Sequence, residues 1–498
     1  MIRLSRETLT ALPAGVAAPA YDRARVSPGI LHVGVGNFHR AHLAIYLDDL
    51  FAMGKSLDWG ILGAGVRAPD ADMRARLEAQ DWLSTVVELE PGALRARVCG
   101  AMTGFAPVAP DNAPLIRAMC DPAIRIVSLT VTEGGYFLDS ATGDFDANHP
   151  QMLADAANPD APGSVFGAML AALRRRRQAS IPPFTVMSCD NIPGNGHVAM
   201  AALTGLARLH DPAFADWVED NVAAPDGMVD RIAVVTDDAR RAVIRDDFGI
   251  DDASPVFCEP FRQWVLEDRF PTGRPEFEAV GVTFAADVSA YEKMKLRVLN
   301  GGHACIAYPG ALLDCHYAHD AMAHPLVAGF LDKVETEEIV PMVPPPPGQD
   351  LRDYLTLIKS RFANPEVKDT IARLCLDGSN RQPKFILPST KDRVAQGAPV
   401  TGLALESALW CRYLAGGSET GREYALEDEQ ADRLRAAALT AKAEPAAFLG
   451  LRDIFGDLGE APAFSTAFDE ALTMLWRDGT AATLARYLSL PAGAPLGR

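Results

Sequence analysis

GILHVGVGNFHRAHLAIYLDDLFAMG, residues 29–54, sets a strand, a turn and a helix in immediate succession. Ile30 to Val33 read as a short buried strand, Gly34 to Phe38 as a turn, and Ala41 onward as a helix. Leu43, Tyr46, Leu47, Leu50 and Phe51 recur with helical period and predict one apolar face. In that context GVGNFHR (34–40) is a candidate phosphate turn. Gly34 permits the tight turn, and Gly36 lets the backbone approach a pyrophosphate at the helix N-terminus. Asn37, Phe38 and Arg40 complete the candidate cofactor contacts of this turn. His39 stands at the third glycine of G-x-G-x-x-G, so the fingerprint is incomplete. A βα turn that binds nothing is the competing reading.

Working outward, DWGILGAGV (58–66) predicts a second strand, IRIVSLTVT (124–132) a third and PFTVMSC (183–189) a fourth. The last follows the helical VFGAMLAALRRRR (165–177). Strands alternating with helices imply a doubly wound parallel sheet. Arginines 174–177 invite a nucleic-acid reading, but cations at a helix C-terminus also complement its dipole. Beyond about residue 285 long helical patterns take over, as in PLVAGFLDKVETEEIV, YLTLIKSRF, ALESALWCRYL and EALTMLWRD. The fold class is therefore α/β. A Rossmann-type domain over 1–285 is followed by a mainly helical domain over 286–498.

The bulk composition excludes several function classes. With 48% hydrophobic and 22% charged residues among 498, the chain is globular and large enough for two domains. Forty-seven basic against 65 acidic side chains give a formal charge of −18, which disfavours nucleic acids and anionic membranes as partners. The eight cysteines form no CxxC pair, which argues against a zinc site or a disulfide framework. No apolar run is long enough to span a bilayer, and the N-terminus lacks a signal-peptide core. A cytoplasmic location is expected, with no bound metal, and the chain acting as a monomer or small homo-oligomer.

Four places carry candidate chemistry. Asp70, at the end of the second strand, is placed either to accept from an adenosine ribose, favouring NAD over NADP, or to cap a helix. Arg67 close by argues the other way, because a 2′-phosphate would want an arginine. TVTEGGYF (130–137) ends a strand with Thr132, Glu133 and two glycines, suited either to a flat nicotinamide or to a plain turn. MSCDNIPGNG (187–196) puts Asn191 outside a strand's carboxyl end, where ligands gather in open α/β sheets. Finally, YEKMKLRVLNGGH (291–303) sets ionisable groups among apolar neighbours. On an ideal helix at ~100° per residue, Glu292, Lys295, Asn300 and His303 fall within an arc of roughly 140°. Gly301-Gly302 weaken that helix. The group reads as a solvated lysine, a capping asparagine and a core histidine, or as a reaction centre. A buried lysine moves from about 10.4 towards neutrality and becomes a general base. Asn300 and Asn191 would then donate to a reacting oxygen.

KLRVLNGGH (295–303) resembles the K-x4-N-x2-H signature of the polyol-specific long-chain dehydrogenases, the mannitol 2-dehydrogenase family. The similarity continues through GVGNFHRAH (34–42), TVTEGGY (130–136), FTVMSCDNIPGNG (184–196), MVDRI (228–232), CEPFRQWVLEDRF (258–270) and DGSNRQPKF (377–385). The resemblance implies a metal-independent, NAD-dependent enzyme interconverting D-mannitol and D-fructose, with Lys295 as acid/base and Asn191 and Asn300 stabilising the oxyanion. By the same resemblance His303, Asp230 and Arg373 hold substrate hydroxyls, and Glu292 belongs to the proton path of the lysine. Arg381 stands where family members carry a lysine, which keeps the cation but changes its reach. Pro69 replaces an acidic residue before Asp70, relaxing the expected NAD selectivity. Hexuronate-reducing relatives carry a lysine in place of Gly134, so TEGGY favours a neutral polyol. The alternatives are a sibling acting on sorbitol, D-arabinitol or a hexuronate, and a non-catalytic redox sensor that has lost a catalytic group.

Overall fold

The computed structural model describes residues 1–139 and 142–497, and the chain divides into two compact units, Met1–Ser289 and Ala290–Arg498. The first is built on β1 (Pro28–Val33), α1 (Asn37–Ala41), α2 (Leu43–Ala52), β2 (Gly60–Ala64), α3 (Ala68–Glu78), β3 (Met102–Phe105), β4 (Ile126–Leu129), α4 (Val165–Gln178), β5 (Thr185–Ser188) and α5 (Asn195–His210). The five strands form one parallel sheet in the order 3-2-1-4-5. That is a Rossmann-type order, with its reversal point between β1 and β4.

Side-chain alternation sorts the strands onto two cores. Leu31, Val33, Val127 and Leu129 pack on the face with Phe166 and Leu203, while Ile30, Ile61 and Ile126 pack opposite with Leu43, Tyr46, Leu47 and Phe51. A sheet covered on both faces needs apolar residues at both parities, which is why these strands read as near-continuous hydrophobic runs.

The helix after the turn starts at Asn37, earlier than its apolar period suggests, and breaks at His42 before resuming. The arginine run ends α4 and is absorbed by the protein. Arg176 is buried on the carbonyls of Met119, Asp121, Ile124 and Pro182, while Arg174 and Arg177 lie over Phe214 and Trp217.

Two further sheets were not foreseen from the pattern. Ser84–Glu90 and Ala93–Cys99 form an antiparallel hairpin through Pro91-Gly92, extended by Val16–Ala17, Val256–Cys258 and Ala233–Val234. Gly227–Asp230, Gln263–Glu267 and Thr283–Ala285 make a three-stranded sheet. Their partners lie up to about 170 residues away along the chain, so local periodicity carries little of the pairing.

The second unit is helical. Its principal elements are α6 (Ser289–Met294, beginning at the boundary), α7 (Gly301–Leu312), α8 (Pro325–Val334), α9 (Leu351–Phe362), α10 (Ile371–Leu374), α11 (Gly378–Phe385), α12 (Thr401–Leu414) and α13 (Pro462–Asp478). Helix α12, with Leu403, Leu405, Leu409 and Trp410 buried on different sides, is the central element and packs on α13. All eight cysteines are free. Among the described residues no helix is long and apolar enough to cross a membrane.

Candidate active site

The carboxyl ends of β1 and β4 meet at Gly34. Its φ is +96°, and a Cβ there would fall 2.1 Å from the Thr130 carbonyl oxygen. Only glycine satisfies both conditions. Gly36 differs: it is exposed, and an added Cβ would come no nearer than 3.9 Å to the described protein atoms. Open space ahead of this backbone is what close approach of a pyrophosphate requires, so the turn fits a dinucleotide.

The turn is held from beneath by Arg40, which is buried and points into the protein, away from the exposed face of the turn. Its Nε donates to the Gly36 carbonyl at 3.2 Å, Nη2 to Asn37 Oδ1 at 2.9 Å, and Nη1 to the Ser254 carbonyl and, at 3.1 Å, to Ser254 Oγ. Asn37 Nδ2 reaches the Val234 carbonyl at 3.1 Å, and Phe38 stacks on His42 with ring centres 4.8 Å apart.

At the third glycine position, His39 stacks on His32 with ring centres 3.5 Å apart. Burial pushes His32 down to about 3 and His39 well below its usual range, so both imidazoles are neutral. The close helix–strand contact that a glycine normally permits is made here by two stacked rings. His32 in turn bonds Ser128 Oγ and Thr130 Oγ1.

Asp70 does not end β2. It is the third residue of α3, and its Oδ2 accepts from the backbone N–H of Val66 (3.0 Å) and Arg67 (2.9 Å). The carboxylate folds back over Gly65, where a Cβ would collide at 2.4 Å. This is the capping half of its two readings, realised from inside the helix. The Arg67 side chain stays exposed.

The loops after β4 and β5 are clamped together by Asp190, whose role the sequence reading missed. Its buried carboxylate accepts from Val131 N and Thr132 N, both at 2.9 Å, and from Tyr136 Oη at 2.7 Å. Burial raises its pKa, and these three donors pull it back. Thr132 is held at φ +66°, ψ 167°, a strained conformation for a non-glycine residue. Strain of this kind persists only where the surroundings enforce it, and Asp190 supplies that constraint. Glu133 is exposed beside it.

Asn191 is exposed on the next residue, and Asn195 braces its loop. Asn195 Nδ2 donates to the carbonyls of Asp190 (3.0 Å) and Gly227 (2.8 Å), and its Oδ1 accepts from Gly227 N. The loop of Asn191 is thereby tied to the strand that ends in buried Asp230.

In the helical unit, Glu292, Lys295, Asn300 and His303 lie on one continuous helical run. The glycines do not break it, since Gly301 and Gly302 open α7. They serve packing: a Cβ on Gly302 would lie 3.3 Å from both Glu335 Oε1 and Phe362 Cε2. Between α6 and α7 the turn Lys295–Asn300 is π-helical. In i→i+5 geometry residues five apart lie nearly over one another, so Lys295 and Asn300 come closer in angle than an ideal α-helix allows. Lys295 is 7% exposed. The His303 ring stacks on Phe362, with centres 4.2 Å apart.

Arg373 and Arg381 are neighbours. Arg381 Nη1 donates to the carbonyls of Arg373 (3.3 Å) and Leu374 (3.1 Å), and Arg373 forms a two-pronged pair with Asp369. The aspartate raises the arginine's pKa, so Arg373 stays charged. Among the described residues no group of three or more His, Cys, Asp or Glu is arranged to hold a metal ion.

The Mannitol dehydrogenase Rossmann domain model matches residues 28–279, and the Mannitol dehydrogenase C-terminal domain model matches residues 287–476. A mannitol 2-dehydrogenase from Cereibacter sphaeroides is 58% identical over 474 residues, covering 95% of this chain and 99% of that protein. The Pseudomonas fluorescens mannitol 2-dehydrogenase, solved as a ternary complex with NAD and D-mannitol, is 41% identical with a TM-score of 0.87, over 98% of this chain and all of that one. A substrate-free D-sorbitol dehydrogenase is 35% identical with a TM-score of 0.89, over 96% of this chain and 99% of its own.

Proposed function

Because the chain belongs to the mannitol dehydrogenase family, we propose that it is an NAD-dependent, metal-independent polyol dehydrogenase interconverting D-mannitol and D-fructose. The observation that carries the chemistry is Lys295, buried at the head of a π-turn that gathers Asn300 towards the same face. In polyol oxidation the Lys295 amine takes the proton of the C2 hydroxyl; in ketose reduction it returns that proton. Asn300 and Asn191 donate to the same oxygen as charge develops on it. His303, Asp230, Arg373 and Arg381 hold the remaining hydroxyls, and Glu292 passes the proton onward from the lysine. NAD, when bound, supplies the hydride acceptor at its nicotinamide ring. Gly34, Gly36, Asn37 and Phe38 would cradle its phosphates, with Arg40 keeping the turn in shape. Asp70 would meet the adenosine ribose, and Thr132 and Glu133 the nicotinamide side.

A neutral substrate is favoured at Gly134. This residue is exposed, and a Cβ there would meet nothing within 4 Å among the described residues. The fold therefore has room for a side chain where hexuronate-reducing relatives carry a lysine, yet no cation stands there.

The test is NADH oxidation with D-fructose, run beside D-fructuronate and repeated with NADPH. Fast turnover of D-fructose with NADH is expected. Turnover of D-fructuronate alone would move the chain to the hexuronate branch. Lys295→Ala should remove most turnover, at least ~100-fold for a lost general base, while NADH still binds; near-normal turnover would overturn its role. A chelator should leave the rate unchanged, and reversible loss would overturn the metal-free mechanism.

A further inference from the structure

We infer that Asp369 is a positioning residue that sets substrate class: by pairing with Arg373 it turns a cation into a neutral hydroxyl-binding element and so excludes acidic sugars. The inference rests on the proposed polyol chemistry and on the assignment of Arg373 to the substrate.

Arg373 Nε donates to Asp369 Oδ1 at 2.5 Å and Nη2 to Asp369 Oδ2. A guanidinium has five N–H donors, and this two-pronged pairing uses the Nε side. Three N–H groups remain on the Nη edge, and Arg373 is about half exposed while its partner is 9% exposed. The arrangement presents directional donors without net charge.

Asp369 is seated by the backbone. Its carbonyl accepts from Ala318 N at 2.8 Å, Ile371 N donates to the His316 carbonyl at 3.0 Å, and Tyr317 bridges to Thr370. Lys368, immediately before it, is held at φ +51°, a conformation a lysine adopts only under constraint. An i, i+4 pair on a flexible surface is worth little, but here one partner is buried and fixed, so the other is fixed through it.

The second cation is tied to the backbone through one of its nitrogens. Arg381 Nη1 lies on the carbonyls of Arg373 and Leu374 at the C-terminal end of α10, where it complements the helix dipole. A substrate carboxylate arriving beside Arg373 would lie close to Asp369, so it would meet repulsion along with the donors. A hydroxyl meets only the donors. Polyol and ketose are thus accepted, and hexuronate and hexonate are rejected.

The experiment compares full-length wild type, Asp369→Asn and Asp369→Glu in NADH oxidation with D-fructose and with D-fructuronate. Wild type is expected to prefer D-fructose by at least a hundredfold in kcat/KM. Asp369→Asn leaves Arg373 positively charged and less tightly held. It should raise KM for D-fructose about tenfold with kcat within threefold, and shift the fructuronate-to-fructose ratio at least tenfold towards the acid. Asp369→Glu keeps the charge and should retain the wild-type ratio. An unchanged ratio in Asp369→Asn, with wild type turning over D-fructose, would overturn the inference and leave the functional reading intact. If wild type turns over D-fructuronate and not D-fructose, both fail. Should Asp369→Asn not fold, inhibition of wild-type D-mannitol oxidation by D-mannonate decides. A Ki at least thirtyfold above the KM for D-mannitol supports the inference, and a comparable value ends it.

Discussion

Two sets of buried polar groups, one in each unit, are treated in opposite ways. In the first, Arg40, Asp190 and Asn195 are buried with their donors and acceptors spent on backbone groups at strand ends. In the second, Glu335 is fully buried and neither carboxylate oxygen has a hydrogen-bond partner among the described residues, while Glu406 has Gln382 for one oxygen only. Burial pushes Glu406 up to about 8 and Glu335 well above its usual range. A satisfied polar group rigidifies the loop it binds; an unsatisfied acid stays neutral and makes stability depend on pH. Rigidity is found where the loops line the crevice at the switch point of the sheet. Among the helices, Glu335 and Glu406 weaken the fold as pH rises.

The comparison breaks most visibly at Gly34. Gly34→Ala would force a methyl against the Thr130 carbonyl at a positive φ, with an expected loss of ~3 kcal/mol or more. Denaturant titration would measure it. Asp190→Ala leaves two backbone N–H groups unmet, leaves Tyr136 Oη with Ser188 Oγ alone and releases Thr132. Stability should fall by about 2–3 kcal/mol. NADH affinity should fall with it, and a variant that keeps both would show that the clamp does not matter.

Glu406 sharpens the other side. Its folded pKa of about 8 lies above the ordinary carboxyl value of 4.5, so the folded state holds a proton that the unfolded chain has released. Stability from this group is complete below pH 4.5 and declines as pH rises through 8. Glu406→Gln removes the titration, and its melting temperature should exceed that of wild type at pH 9 by an amount worth ~2 kcal/mol. Equal melting at pH 9 would contradict the assignment. The smallest effect is expected at Gly134, where alanine enters open space: under ~0.5 kcal/mol by thermal melting.

The strand–turn–helix around Gly34 could be read from the chain because each signal is local: a short apolar run, two glycines, then a 3.6-residue period. The β-hairpin of residues 84–99 and the three-stranded sheet escaped because their pairing joins distant segments, and alternation is masked where both faces are covered. Asp70 was assigned to the end of a strand that stops at Ala64. Strand ends depend on which neighbour continues the ladder, and the sequence does not name that neighbour. The grouping of Glu292, Lys295, Asn300 and His303 was found by counting at 100° per residue, yet the turn that sharpens it is π-helical, a register that counting does not reveal. Asp190 and Asp369 lie beside residues already singled out, and their part in holding Thr132 and Arg373 appears only when their partners are in place.

By itself, then, the sequence determined the class of each half, the strand–turn–helix at Gly34 and the identity of the ionisable groups, because periodicity, glycine placement and side-chain chemistry are properties of short segments. Tertiary structure alone decided which partners those groups find within the protein. Arg40 went to the turn's own backbone, Asp70 to a helix start and Arg373 to Asp369. The physical reason is that a charged or amide group binds whatever partner the fold brings within about 3 Å, and that partner is rarely a neighbour in sequence.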